Sequence, residues 1–225
     1  MKSERIVLLW PTARPEAMNS RWIEWLDHAV DPSDVTVHVA VNTPAEKERI
    51  SVLGTIVVGE DHPGACWPTY CLARDLYRTR NDDVVILATD DFQPPQRWDS
   101  FVHERLAGFD GGLLVDDGNN RGCMTIPIMT YGCLLKLNRF MVHPDYHHVY
   151  ADSELTTNLK EMGLLKTVYD REFIFRHLHH GLGLTPTDEI HTRCDSFHAK
   201  DAETYRRRSA LSLEERLAPW TGWPA

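Results

Sequence analysis

Five short apolar runs punctuate the first half of the chain: 6–10 (IVLLW), 35–41 (VTVHVAV), 55–58 (TIVV), 84–88 (VVILA) and 112–115 (GLLV). Their length and β-branched content predict strands, several of them buried on both faces. Between them the pattern changes period. Met18, Trp22, Trp25 and Leu26 recur at helical spacing within 15–29, as do Cys71, Leu72, Leu76 and Tyr77 within 68–80. Strand and helix alternating in this way predict an α/β fold, a mostly parallel sheet with helices on both faces. In such open sheets ligands bind beyond the carboxyl ends of the strands.

The second half is less regular. The pattern predicts a loop-rich connection over 116–132, a short helix in 133–141 and a helix over 152–163. It further predicts one more strand or hairpin in 168–180 and a last polar helix over 201–217. No repeat or linker divides the chain, so we expect one domain over 1–225, with a first half (1–100) of alternating strands and helices and a less regular second half (101–225).

Composition narrows the class. The 225 residues are 42% hydrophobic and 25% charged, the profile of an ordinary folded globular protein. The apolar run near the N-terminus is broken by Pro11 and followed by Arg14, too short for a signal sequence or a span, so a cytoplasmic protein without a membrane partner is expected. Five scattered cysteines with no CxxC spacing point to reduced thiols rather than a disulfide framework or a zinc site. A net charge of −9 disfavours a broad hold on nucleic acid. The one dense basic cluster, YRRR at 205–208, reads as the solvated face of a helix.

Four stretches carry candidate chemistry. Asp90 and Asp91 end the fourth apolar run, where adjacent carboxylates repel unless a cation or donors compensate. Oxygen ligands suit Mg²⁺ or Mn²⁺, which take one or two carboxylates and complete the shell with phosphates and water; capping of the turn before Pro94 and Pro95 is the plainer alternative. In FIFRHLHHG, a strand would put His177 and His179 on one side and His180 on the other, offering an imidazole that Mn²⁺ accepts. In YADSEL, Asp152 reads as a helix N-cap and also as a general base. In LWPTARP, Thr12 and Arg14 follow the first strand, where a nucleotide usually rests.

The order of these pieces resembles the family-2-like glycosyltransferases of GT-A fold, and more closely a compact type found in bacteriophage and bacterial genomes. The matching stretches are the loop at 11–15, TDDFQPPQRWD at 89–99, DDG...TIPIM..G at 116–132, HPDY...YADSEL at 143–155, and His177, His179 and Asp188. Together they cover residue 6 to about residue 208. The resemblance implies a metal-dependent hexosyl- or pentosyltransferase that moves a sugar from a nucleoside-diphosphate donor, UDP first among them, to an acceptor hydroxyl with inversion.

It implies Asp91 and one of His177 and His179 on a Mn²⁺ or Mg²⁺ ion, and Asp152 as the acceptor's base. Pro11, Thr12, Arg14 and Asp90 would line the nucleotide pocket. Asp116 and Asp117 would lie near the donor sugar, with Glu154 in the acceptor site. The acceptor is expected to be a glycan or a hydroxylated base in phage DNA. A metal-dependent phosphohydrolase or nucleotidyltransferase, and a non-catalytic nucleotide-binding module, are the alternatives.

Overall fold

The computed structural model describes residues 5–52, 54–59, 64–76, 79–81, 83–119 and 122–222. Tyr77 of the expected second helix lies outside these, as do residues 1–4, 120 and 121. The apolar runs become β1 (Ile6–Pro11), β2 (Val35–Val41), β3 (Ile56–Val57), β4 (Val84–Leu87) and, after β5 (Phe92–Gln93), β6 (Gly112–Leu114). With β7 (Ile128–Thr130) and β8 (Leu165–Thr167) they form a sheet of order β3-β2-β1-β4-β7-β6-β8. β1 pairs in parallel with β2 and β4, and every one of its residues is buried. The expected mostly parallel sheet is therefore present, with β7 antiparallel to both β4 and β6.

Helices cover both faces. Ile6, Leu8 and Trp10 of β1 face α1 (Pro15–Asp27) and α4 (Trp98–Leu106), whereas Val7 and Leu9 face α3 (Cys66–Arg74) and α5 (Tyr131–Lys136). The first layer is aromatic. The Trp25 ring lies 6.2 Å from Trp10 and 4.7 Å from Trp98, edge to face, and Trp98 Nε1 donates to the Trp25 carbonyl at 2.8 Å. α2 (Pro44–Glu48) opens on a Thr43–Glu46 capping box.

The second half departs from expectation in two places. Within 168–180 only Arg176–His177 is strand (β9), and it pairs with β5 rather than with the main sheet. The single helix expected over 201–217 is two, α8 (His198–Ser209) and α9 (Leu213–Arg216), because Ser212 and Glu215 form a new capping box that restarts the helix. α6 (Ala151–Glu161) and α7 (Glu189–Asp195) complete the set. Among the described residues, no helix is long and apolar enough to cross a membrane.

A buried carboxylate anchors the entrance of β4. Asp83 accepts from the backbone N–H of Arg5 (3.0 Å) and Arg80 (2.9 Å) and from Arg80 Nη2 (2.7 Å). Burial alone would raise its pKa, but these hydrogen bonds outweigh burial and hold it below the usual carboxylate range. A depressed folded-state pKa means stability that is present above the unfolded value and lost as pH falls through the folded one. Asp83→Asn should therefore cost about 2 kcal/mol in urea unfolding at pH 7. The gap to wild type should narrow in the same measurement well below pH ~4.

Candidate active site

The carboxyl ends of β1 and β4 open into a cleft of about 300 Å³ whose lining includes Pro11, Thr12, Arg14, Asp90, Asp91, Asp152, His177 and His179. Asp90 is held from β1. Its Oδ1 accepts from Trp10 Nε1 (2.9 Å) and its Oδ2 from Thr12 Oγ1 (2.8 Å), and Thr12 Oγ1 in turn accepts from the Arg14 N–H (2.9 Å). Burial pushes the Asp90 carboxyl up to about 6, against the two donors and with the help of neighbouring Asp91.

Asp91 has the opposite character. Its Oδ1 accepts from Thr89 Oγ1 (2.5 Å) and its Oδ2 lies 3.1 Å from His177 Nε2. Although burial opposes ionisation, the His177 and Thr89 contacts keep this carboxyl well below the usual range.

His177 reaches Asp91 through the two-stranded β5–β9 ribbon, in which Phe92 is in register with His177. The imidazole stacks on the Phe92 ring at 4.3 Å, and the Leu178 N–H donates to the Asp91 carbonyl at 2.8 Å. Behind it, Asp117 Oδ2 lies 3.9 Å from His177 Nδ1 and accepts from Thr125 Oγ1 at 2.6 Å. The His179 ring is 5.0 Å from that of His177, and its Nδ1 accepts from the Gly181 N–H at 3.0 Å. Burial, His177 and His180 lower its pKa. His180, expected on the far side, also lines the cleft, because β9 stops at His177 and the chain turns into a 3₁₀ segment at His180–Leu182.

The Asp91 and His177 pair fits a divalent cation. Asp91 Oδ2 and His177 Nε2, 3.1 Å apart in the cleft, are an oxygen and a nitrogen donor of the kinds that Mn²⁺ would accept together. Among the described residues no group of three His, Cys, Asp or Glu forms a ready-made cage. Mg²⁺ and Mn²⁺ bound with substrate phosphates need none, since phosphate and water complete their shell.

Other candidates sit differently. Arg14 donates from Nε and Nη2 to Asp188, both at 2.8 Å, and its Nη2 is 3.0 Å from His191 Nε2, so it ties the β1 loop to the cap of α7. Asp152 is not the N-cap of α6. Tyr150 holds that position in a left-handed conformation, and Asp152 is the second helical residue, its Oδ1 accepting from the Ser153 N–H at 2.7 Å.

Glu154 does not line the cleft. It is buried against Arg208 Nη2 (2.7 Å) and Tyr146 Oη (2.8 Å). Asp116 and Asp117 are also outside the lining: Asp116 Oδ1 accepts from the Gly118 N–H at 2.8 Å, and Asp117 backs His177. The YRRR cluster is split, with Arg206 exposed and Arg208 interior. The sequence reading missed Trp10 as a polar contributor. Its signal was available, since a buried indole N–H usually finds a partner and Asp90 ends the neighbouring strand.

No protein-family profile matches the chain, and no curated protein sequence matches it. Solved structures do. S. aureus TarS 1-349 in complex with UDP superposes with a TM-score of 0.59 at 11% identity, over 94% of this chain and 77% of that one. A mannosyltransferase, PcManGT from Pyrobaculum calidifontis in complex with GDP-Man and Mn²⁺, gives a TM-score of 0.57 at 14% identity, over 96% and 73%. Against another TarS structure this chain spans 46% of the length. At such identities the likeness establishes the fold, which is GT-A-like, the α/β fold of nucleotide-sugar transferases.

Proposed function

We propose that the chain is a glycosyltransferase that moves a sugar from a nucleoside-diphosphate donor, a UDP-sugar first among them, to an acceptor hydroxyl with inversion, using Mn²⁺ or Mg²⁺. The observation that carries this is the 3.1 Å Asp91–His177 pair at the carboxyl end of β4, inside the cleft. The fold and the donor and metal complexes of its structural neighbours support it. Asp91 and His177 would hold the cation, with His179 beside them. When bound, the cation supplies positive charge that stabilises the leaving diphosphate.

The remaining steps belong to this chain's own residues. Pro11, Thr12 and Asp90, locked together from β1, bound the nucleotide end of the cleft, and Arg14 closes it against α7. Asp117 orients the His177 ring from behind, a role we give it in place of direct contact with the sugar. Asp152 accepts the proton of the attacking acceptor hydroxyl, and a single displacement from the face opposite the leaving group inverts the anomeric centre.

Asp152→Asn should lower transfer by about 10²- to 10⁴-fold while leaving UDP binding with Mn²⁺ unchanged; a variant that transfers at the wild-type rate removes its role. Cleavage of the donor with no acceptor present, at the rate of transfer, would favour a phosphohydrolase instead.

A further inference from the structure

The wall of the cleft next to Asp152 bears on the acceptor. Tyr150 lines the cleft with φ of 67°, a backbone region that non-glycine residues rarely occupy and that persists only where the surroundings impose it. Here α8 imposes it. The fully buried carboxylate of Asp201 accepts from the backbone N–H groups of His147 (3.0 Å), His148 (2.8 Å) and Val149 (2.9 Å), the three residues before Tyr150, and lies 3.0 Å from His147 Nδ1. The Tyr150 ring is backed by that of Tyr205, 5.5 Å away and nearly parallel, and its hydroxyl is 3.1 Å from His198 Nε2. Tyr150 lines the cleft and neither Tyr205 nor His198 does, so α8 supports Tyr150 from outside the cleft.

We infer that Tyr150 is the platform of the acceptor subsite, and that the acceptor is an uncharged sugar ring of a glycan, stacked on Tyr150 with one hydroxyl directed at Asp152. This rests on the glycosyltransferase reading. A pyranose has an apolar C–H face and a hydroxyl rim, and an aromatic ring beside a carboxylate meets both.

The geometry disfavours nucleic acid as the acceptor. Of the arginines of α8, Arg208 is buried on Glu154 and the exposed Arg207 is paired with Asp145 at 2.8 Å, which leaves Arg206 as the exposed arginine not used in either pair. The chain as a whole carries a net charge of −9.

The test is saturation-transfer NMR on the full chain with UDP and Mg²⁺, using methyl glycosides of glucose, galactose, mannose and N-acetylglucosamine, with 5-hydroxymethyl-2′-deoxycytidine as the nucleobase arm. Tyr150→Asn removes the ring while keeping a residue that tolerates the left-handed backbone; Tyr150→Phe keeps the ring. The expected result is saturation of the ring C–H protons of at least one glycoside, falling roughly fivefold to tenfold in Tyr150→Asn and retained in Tyr150→Phe. UDP affinity should be equal in all three proteins. Glycoside saturation indifferent to Tyr150→Asn, saturation of the nucleoside alone, or none from any glycoside overturns the inference. Failure of wild-type protein to bind UDP strikes the donor reading beneath it, and the inference falls with that reading.

Discussion

Asp91→Asn is expected to abolish metal-dependent nucleotide binding and to lower sugar transfer by roughly a thousandfold. The substitution preserves shape and removes one negative charge, the charge that faces His177 Nε2 at 3.1 Å and would hold the cation with it. His177 alone would then have to retain an ion whose preferred ligands are oxygens. Calorimetric titration with UDP, with and without Mn²⁺, reads the effect directly. The wild type should bind more tightly with the metal, and the variant should show no difference between the two conditions.

Asp90→Asn is the informative comparison. Asp90 turns both oxygens toward Trp10 and Thr12, donors that a cation would have to displace, whereas Asp91 Oδ2 already faces His177 Nε2, its proposed partner on the ion. The Asp90 variant should keep the Mn²⁺ response. A metal response retained in Asp91→Asn and lost in Asp90→Asn would exchange the two roles.

The largest effect on stability is expected from Glu154→Ala. The Glu154 carboxylate receives Arg208 Nε at 2.8 Å, Arg208 Nη2 at 2.7 Å and the Tyr146 hydroxyl at 2.8 Å, all in the interior. Truncating it leaves a buried guanidinium with the Arg216 carbonyl at 2.9 Å and a longer contact to Asp145 at 3.4 Å. Breaking a buried pair from one side costs about 3–5 kcal/mol, a fall in Tm of about 10 °C for a chain of this size. Replacing the whole pair by apolar groups of similar volume, Glu154→Leu with Arg208→Met, should recover most of that loss, because no charge is then stranded. Denaturant unfolding of the single and double variants measures both. A double variant as unstable as the single one would mean that α8 docks through something other than this pair.

Glu154 also shows how a local pattern misleads. Standing two residues from Asp152, it reads as a neighbour in the same site. On a helix, however, two residues span about 200°, so the pair cannot face one cleft. The N-cap reading of Asp152 failed for a different reason. Side-chain capping is a local rule, but here Asp201, some fifty positions away, takes the amides just ahead of α6, and Tyr150 occupies the cap position. Nothing near Asp152 in the chain signals that.

The strands that became β1 and β4 were legible because a strand covered on both faces must be apolar at nearly every position, and that is a property of consecutive residues. Asp90 and Asp91 were legible as a candidate site for a similar reason, being charged residues at the end of such a run. Strands of two or three residues, such as β7 and β9, leave no period to read and exist only through their partners. The Asp91–His177 contact follows the same division. Asp91 and His177 are 86 positions apart and meet only because the β5–β9 ribbon closes. The amino-acid sequence by itself determined the α/β class and the strand end where charge collects, since both depend on short-range patterns of burial. The tertiary structure decided which histidine faces Asp91, which way Glu154 turns and what holds Tyr150, since those depend on contacts that only long-range folding brings within a few ångströms.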